Sequence, residues 1–592
     1  MNKYTEILGY TPSVYQENFF NWVQHGVGNA VICAVAGAGK TTTCVASMKL
    51  IPKNLSCLFV AFNKSIAEEL NTKLKGQRNC TAKTTHSLGF SIIRQNLGRG
   101  VEVDEFKYRK YVKEHISELT TETEVINGKQ FFDYIENICS LVDFSRFNLC
   151  QSEREINKIA KKYDIPINFD ECVVVKKILE WGKKNTETVD YTDMLWLPVE
   201  LSLLPKGNLY DWVYVDEFQD SSLCAIQLFL KCIKRGGRFV VIGDKNQSIN
   251  LFCGACEDSF SIISSHPNTS VFDLPITYRC SKEVVMLSNT IFSGMIPCDN
   301  AKKGKVKDNC HIRDIKDGDM VLCRSKAPLM NLYIKLLRRK QKCYIKGKEI
   351  GENLITILNP IRQENIDLTL QTDSVFVRLY YDLFKERNLL IKKRGLDFDD
   401  ATLSDYILSK YDDLNTLQIL AEKCKTKTEL IEKIKKIFDE DNEGICLSTI
   451  HKAKGLEADN IYILCHSCMP PKTVKKDWQK LQEKNLIYVA YTRAKDILGF
   501  VSEKEIKPFG TMSNPQTILE DLTTKEELVC KVLNKKPMKH VEYKESLNIK
   551  LNTKTNVDEI KKKKENIVQI GTNNKTKKNK QLFNELELLL DN

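Results

Sequence analysis

The chain has 592 residues, 42% hydrophobic and 28% charged, with 89 Lys and Arg against 77 Asp and Glu for a net charge of +12. At about 100–200 residues per domain this length excludes a single small module, and no apolar run approaches the roughly 18 residues of a membrane span, so no membrane contact is expected. The positive balance points to a polyanionic partner, because lysine and arginine gain affinity by releasing counterions from phosphates, although solvated charged faces share that composition.

The opening MNKYTEILGYTPSVYQ lacks the apolar core and cleavage site of a secretory signal. An intracellular, reducing compartment is therefore expected, with the 21 cysteines as thiols. Two CxxC pairs, Cys253/Cys256 and Cys465/Cys468, have metal-site spacing but lie far apart, so semi-buried thiols and no structural metal are expected.

In chain order, strands are predicted at 31–35, 57–62, 212–215 and 238–242, each a β-branched or aromatic run followed by polar residues or glycine. A second set follows at 320–323, 444–448 and 461–465, with a helix over 326–339. Strands alternating with helices imply an α/β fold with two parallel-sheet cores. Mostly helical, lysine-rich insertions interrupt them at 90–184 and 351–441. The first core then comprises 1–89 and 185–275, and the second 276–350 and 442–505. Residues 506–592 form a C-terminal region whose composition turns polar and basic from about Lys535, as in a disordered tail. Its final QLFNELELLLDN recovers apolar spacing, which leaves open a frayed helix or a docking helix for a protein partner.

The chemistry begins after the strand VICAV. In AVAGAGKTTT, Ala36, Gly37, Ala38 and Gly39 form a loop that wraps a phosphate, Lys40 reaches the β and γ oxygens, and Thr41 offers its hydroxyl to Mg²⁺. The helix that starts there adds its N-terminal dipole. The strict GxxxxGK[ST] pattern would have glycine at Ala34, so the match is one residue short. Downstream, WVYVDEFQDSS is an apolar strand ending in two acids, where Asp216 can hold the metal ion and Glu217 can polarise the attacking water. Strand-capping acids are common singly, but this pair after a phosphate loop is what ATP hydrolysis requires.

With DEFQD in place, the sequence resembles the UvrD/Rep branch of superfamily 1 DNA helicases over roughly residues 10–500. VIGDKNQSINLFCGA looks like motif III, LPITYRC like motif IV, ICLSTIHKAKGLEADNIYIL like motif V and LIYVAYTRAKD like motif VI. The layout is closest to the F-box DNA helicase subgroup, without an F-box ahead of Gln16. The resemblance implies two RecA-like P-loop NTPase cores and an ATP- and Mg²⁺-dependent motor on single-stranded and tailed duplex DNA. It places Gln16 on the adenine edge, Tyr278 stacked on the base, Thr42 beside it and Glu457 at the ribose. Gln247 would sense the γ-phosphate, and Arg279 and Arg493 would be arginine fingers from the second core. Strand contacts would fall to Phe62, Asn63, Lys64, Thr84, Thr85, His86, Phe252 and His451. A stripping translocase or an RNA-remodelling ATPase remain alternatives to a 3′-to-5′ DNA helicase.

Departures from the family have consequences. Thr42 stands where relatives carry an arginine that helps sandwich adenine, which predicts looser base selectivity. Motif III has Asn250 and Cys253 in place of tyrosine and arginine, leaving Phe252 as the main stacking platform, and motif VI has Asn485 in place of arginine. For the tail, truncation after Lys535 is expected to spare DNA-stimulated ATPase but to weaken DNA binding at low salt. A salt titration of the truncated chain checks this, and an unchanged salt slope would assign the tail another task.

Overall fold

The computed structural model describes residues 4–61, 64–73, 79–119, 129–207, 209–250, 254–438, 443–508 and 510–537. The expected tail and its terminal apolar segment lie outside them.

The first sheet is built from β1 (Asn29–Ala34), β2 (Cys57–Ala61), β3 (Cys80–Thr84), β6 (Tyr210–Val215), β7 (Ile233–Gly243) and β8 (Thr269–Leu274), while the short β4 (Glu102–Val103) and β5 (Thr188–Val189) pair with each other. Its order is β3-β2-β6-β7-β1-β8 and every pairing is parallel. A parallel sheet needs helices on both faces, so its central strands are apolar throughout. Successive side chains enter two different cores: Val31, Val213, Val215, Phe239 and Val241 enter one, whereas Ala30, Ile32, Trp212, Tyr214, Val240 and Ile242 enter the other. Period-two packing thus fixes the register of the whole sheet.

After the short parallel pair β9 (Ile276–Thr277) and β10 (Ile296–Pro297), the second sheet comprises β11 (Lys305–Cys310), β12 (Met320–Cys323), β13 (Cys343–Ile345), β14 (Ile445–Thr449), β15 (Ala458–Ile463) and β16 (Ala494–Val501). Its order is β11-β16-β15-β12-β14-β13, again parallel. The fold is α/β with two parallel-sheet cores, as expected. The predicted strands are all present, with ends shifted by up to five residues, and the predicted 326–339 helix is Lys326–Arg338.

Four helices, Lys107–Leu119, Lys129–Phe147, Glu153–Lys162 and Phe169–Lys184, fill the span between β4 and β5. They are fastened to the first core by a buried ion network. Arg146, 1% exposed, donates to Asp190 at 2.8 and 2.7 Å and to Asp193 at 2.7 Å, and Lys107 reaches Asp193 at 2.6 Å. Asp190 also caps the helix Tyr191–Glu200 by accepting from the Asp193 amide.

Between β13 and β14 lies a second helical group, including Val375–Arg394 and Asp405–Ala421. The helix Pro515–Val532 packs on it through the buried pair Arg387–Glu526 at 2.8 Å. The two groups touch: Arg394 donates to Asn157 at 3.2 Å, and Lys393 pairs with Glu171, while Lys476 of the second core meets Asp164 at 2.7 Å. Among the described residues no helix is long and apolar enough to cross a membrane.

Breaking a buried pair from one side leaves an uncompensated charge and costs about 3–5 kcal/mol. Arg146→Ala, which takes from Asp190 its cation and leaves Asp193 with Lys107 alone, is therefore expected to lower the melting temperature of the transition that contains the first core. Calorimetry reads this, and an unshifted melt would show the network to be dispensable.

Candidate nucleotide and nucleic-acid site

Neighbouring strands β6, β7, β1 and β8 all run the same way, so their C-terminal ends deliver one cluster of functional side chains. From β1 the chain turns through Ala36, Gly37, Ala38 and Gly39 into the helix Lys40–Met48. Gly37 and Gly39 have φ of 72° and 74°, a left-handed conformation that favours glycine. Gly37 is constrained twice over, because a Cβ there would lie 2.6 Å from the Arg279 Cβ and 2.7 Å from the Thr277 hydroxyl. Ala34, the departure from the strict pattern, is the last residue of β1, paired with Leu274 and buried.

Lys40 pairs with Glu217 at 3.1 Å, and the Thr41 hydroxyl donates to Asp216 at 2.7 Å. Burial works against the Lys40 ammonium, yet Glu217, Asp244 and Asp216 outweigh it and hold its pKa above the ordinary lysine value. The two acids are pushed apart. Burial, reinforced by the charge of Glu217, raises Asp216 to about 6. Glu217 is buried as well, but Lys40 and Lys454 overcome that cost and lower it to about 2. Glu217 sits at φ 50°, and Gln219 donates to its carboxylate.

From the end of β7, Asp244 accepts from the Gln247 amide at 2.8 Å. The second core closes over this array. Arg493, 1% exposed, donates to Gln247 Oε1 at 3.1 Å and to the carbonyls of Val489 and Leu456. Burial and the neighbouring Arg279 lower its pKa to about 10. Arg279 donates to Glu457 at 2.6 Å and to the Thr492 carbonyl at 3.3 Å, and Lys495 meets Glu457 at 2.8 Å. Partial burial opposes the Glu457 carboxylate, but Lys495 and Arg279 hold it below the usual range. Tyr278 leaves its ring 53% exposed, while its amide donates to the Gly37 carbonyl at 2.9 Å.

Several participants were not singled out from the sequence. Lys454 crosses from the second core to Asp220 and to the Gln247 carbonyl at 2.8 Å. Tyr488 accepts from the Ala36 amide at 3.3 Å and donates to Asp244 at 3.2 Å. Both lie inside the KAKGLE and LIYVAYTRAKD segments, so their position was visible but their partners were not. Asn485, standing for the family's arginine, donates to the Ser248 carbonyl at 2.7 Å.

The residues expected at the strand are less converged. Phe62, Asn63 and Phe252 lie outside the described residues. Lys64 is exposed and pairs loosely with Glu68 at 3.7 Å. Thr84 caps the helix Thr85–Leu97, with Thr85 as its first residue, and His86 faces the exposed ring of Tyr191 edge-on at 6.1 Å. Tyr191 is thus an aromatic beside that group which sequence reading passed over. His451 is half-buried, and burial together with Arg324, Lys452 and Lys326 keeps its imidazole neutral. Of the cysteine pairs, Cys253 lies outside the described residues and Cys465 is buried against Cys323. Among the described residues no three His, Cys, Asp or Glu side chains are grouped to hold a metal ion.

Two family models and several known proteins match the chain. The UvrD/REP helicase N-terminal domain matches residues 16–267, and the UvrD-like helicase C-terminal domain matches residues 401–505. The chain is 25% identical to F-box DNA helicase 1 of Gallus gallus over 501 residues, covering 79% of this chain and 46% of that protein. It is 23% identical to F-box DNA helicase protein 1 of Schizosaccharomyces pombe over 506 residues, covering 78% and 54%. A probable DNA helicase II homolog of Mycoplasma pneumoniae is 22% identical over 640 residues, covering 86% and 87%. The chain therefore spans about half the length of the two F-box relatives.

Lys454 supplies the test of the cleft. Lys454→Ala leaves the Asp220 carboxylate, 3% exposed, without its cation. Strand-stimulated nucleotide turnover is expected to fall about tenfold or more, with nucleotide affinity changed by less than about twofold. Steady-state kinetics and equilibrium binding check the two halves, and unchanged turnover would remove Lys454 from the coupling.

Proposed function

Because this chain belongs to the UvrD-like helicase family, we propose that it is an ATP-driven DNA helicase that translocates 3′-to-5′ on single-stranded DNA and unwinds tailed duplexes. The observation that carries the proposal is the 3.1 Å contact from Arg493 of the second core to Gln247 of the first. A guanidinium delivered across a cleft stabilises transition-state charge only when the cores are closed, which ties hydrolysis to domain motion.

On this reading, 1–89 and 185–275 form the nucleotide-binding core with 90–184 as its insertion. Residues 276–350 and 442–505 form the second core, with 351–441 inserted and 506–592 following. The Gly37–Thr41 loop and Lys40 hold the ATP phosphates, and Glu217, kept ionised, orients the attacking water. Thr41 and Asp216, a hydroxyl and a buried carboxylate 2.7 Å apart, fit a hard divalent cation such as Mg²⁺. Bound with the nucleotide, Mg²⁺ supplies neutralising charge at the phosphates. Gln247, Arg279 and Arg493 stabilise the negative charge of the phosphates from both sides, and Glu457 sits where Arg279 and Lys495 can position it toward the ribose. His86, Thr84, Thr85, Lys64 and His451, with Phe62, Asn63 and Phe252, are the proposed strand contacts; the polarity rests on the family resemblance.

Lys40→Ala is expected to abolish ATP turnover, while Glu217→Gln keeps nucleotide and strand binding and loses hydrolysis. Turnover that is the same with and without single-stranded DNA would remove the motor reading. A duplex with a 3′ tail should be unwound and one with only a 5′ tail should not. Displacement only from the 5′ tail would reverse the polarity, and translocation without displacement from either would favour a protein-stripping translocase.

A further inference from the structure

Glu217 is held by an amide as well as by a lysine. Gln219, 1% exposed, stands in the short 3₁₀ turn Phe218–Asp220 that follows it. The two ends of its side chain do different work: the nitrogen donates to the Glu217 carboxylate, and Oε1 accepts from the Asp244 backbone amide at 3.1 Å. The reverse orientation would set oxygen against a carboxylate and nitrogen against an N–H, so the partners fix which end is which. A primary amide can bridge a carboxylate and an N–H, whereas an apolar chain of the same length can serve neither. Gly243, the last residue of β7, leaves room for this bridge. A Cβ there would run into Gln219 Oε1, and the end of that side chain is what would have to give way.

Both supports of Gln219 are in turn held by the second core. The Asp244 carboxylate accepts from the Tyr488 hydroxyl at 3.2 Å as well as from Gln247 at 2.8 Å. The Gln219 backbone carbonyl accepts from the Ser248 hydroxyl at 3.2 Å, and the Ser248 carbonyl accepts from Asn485 at 2.7 Å. Two hydrogen-bonded routes therefore run from the helix Asp477–Tyr491 of the second core through Gln219 to Glu217. The Lys40–Glu217 ion pair lies wholly within the first core, so it carries no information about where the second core is.

We propose that Gln219 is a positioning residue that passes closure of the two cores to Glu217. With Tyr488 and Asn485 seated on the first core, Asp244 and Ser248 hold Gln219, and Gln219 holds the Glu217 carboxylate in the orientation that aligns water. The inference rests on the hydrolytic site proposed above and deepens it. Gln219 acts only through Glu217, so its loss weakens turnover and leaves nucleotide binding intact.

The test is a set of double-mutant cycles on DNA-stimulated ATP hydrolysis by the full chain, with equilibrium nucleotide binding alongside. Gln219→Met keeps the length of the side chain and removes both polar ends; kcat is expected to fall about tenfold or more, with KM and Kd within about twofold of wild type. Made in the Glu217→Gln protein, the same change should lower the residual single-turnover rate by less than about twofold, because no carboxylate is left to position. Tyr488→Phe should lower kcat about fivefold in the wild type and less than about twofold in the Gln219→Met protein. Gly243→Ala, which displaces the Gln219 amide, should show the same split between kcat and KM. A wild-type kcat in folded Gln219→Met would overturn the inference, and so would an equal loss in the Glu217→Gln background. Equal factors for Tyr488→Phe in the two backgrounds would overturn the link to closure. If Gln219→Met does not fold, a wild-type kcat in Gly243→Ala overturns the inference instead. Turnover that survives Lys40→Ala would count against the hydrolytic site itself, whatever the cycles through Gln219 give, so the two failures are distinct.

Discussion

The structure turns on a buried cation that pairs with no carboxylate among the described residues. Arg493 is 1% exposed, and the hydrogen bonds it makes go to two backbone carbonyls, the Thr492 hydroxyl and the Gln247 amide, all neutral acceptors. Burying a charge without an anionic partner is costly. The lowering of its pKa to about 10, by burial and then by Arg279, expresses that cost. An incoming phosphate would relieve it, so the same desolvation that strains the cleft makes it selective for a polyanion on the proposed reading. Arg279 differs in degree, since Glu457 already shares its charge.

Opposite these arginines, two adjacent carboxylates are made unlike by their neighbours. Asp216, enclosed and next to a second acid, rises to about 6, whereas Glu217 beside Lys40 and Lys454 falls to about 2. The left-handed backbone at Glu217 costs about 1–3 kcal/mol in a non-glycine residue. It turns the side chain away from the strand direction and toward Lys40. Local strain, the Lys40 ion pair and the charge of Lys454 therefore converge on Glu217, the carboxylate that on the proposed reading orients water.

Much of this was legible in the sequence, and the omissions have a common physical cause. The predicted strands of the first sheet, β1, β2, β6 and β7, are its four central ones, apolar because both faces are covered. The strands passed over at its edges, β3 and β8, read CTAKT and TSVFDL and are half-exposed; the edges of the second sheet, β11 and β13, were passed over as well. Only β16 among the missed strands is internal, and its AKDILGFV begins with polar residues. At the site, Lys40, Asp216 and Gln247 could be read because each follows its own strand. Lys454 and Tyr488 could not, since the groups they touch lie 207 to 452 positions away in the chain.

The central claim is that the two cores act as one catalytic unit through Arg493 and Gln247. A double-mutant cycle on DNA-stimulated kcat, comparing Arg493→Ala, Gln247→Ala and the double variant in the full chain, measures it directly. The account predicts strong non-additivity, with a coupling energy of about 1–3 kcal/mol. Effects that add to within about 0.5 kcal/mol would show that the two residues act independently and would contradict it.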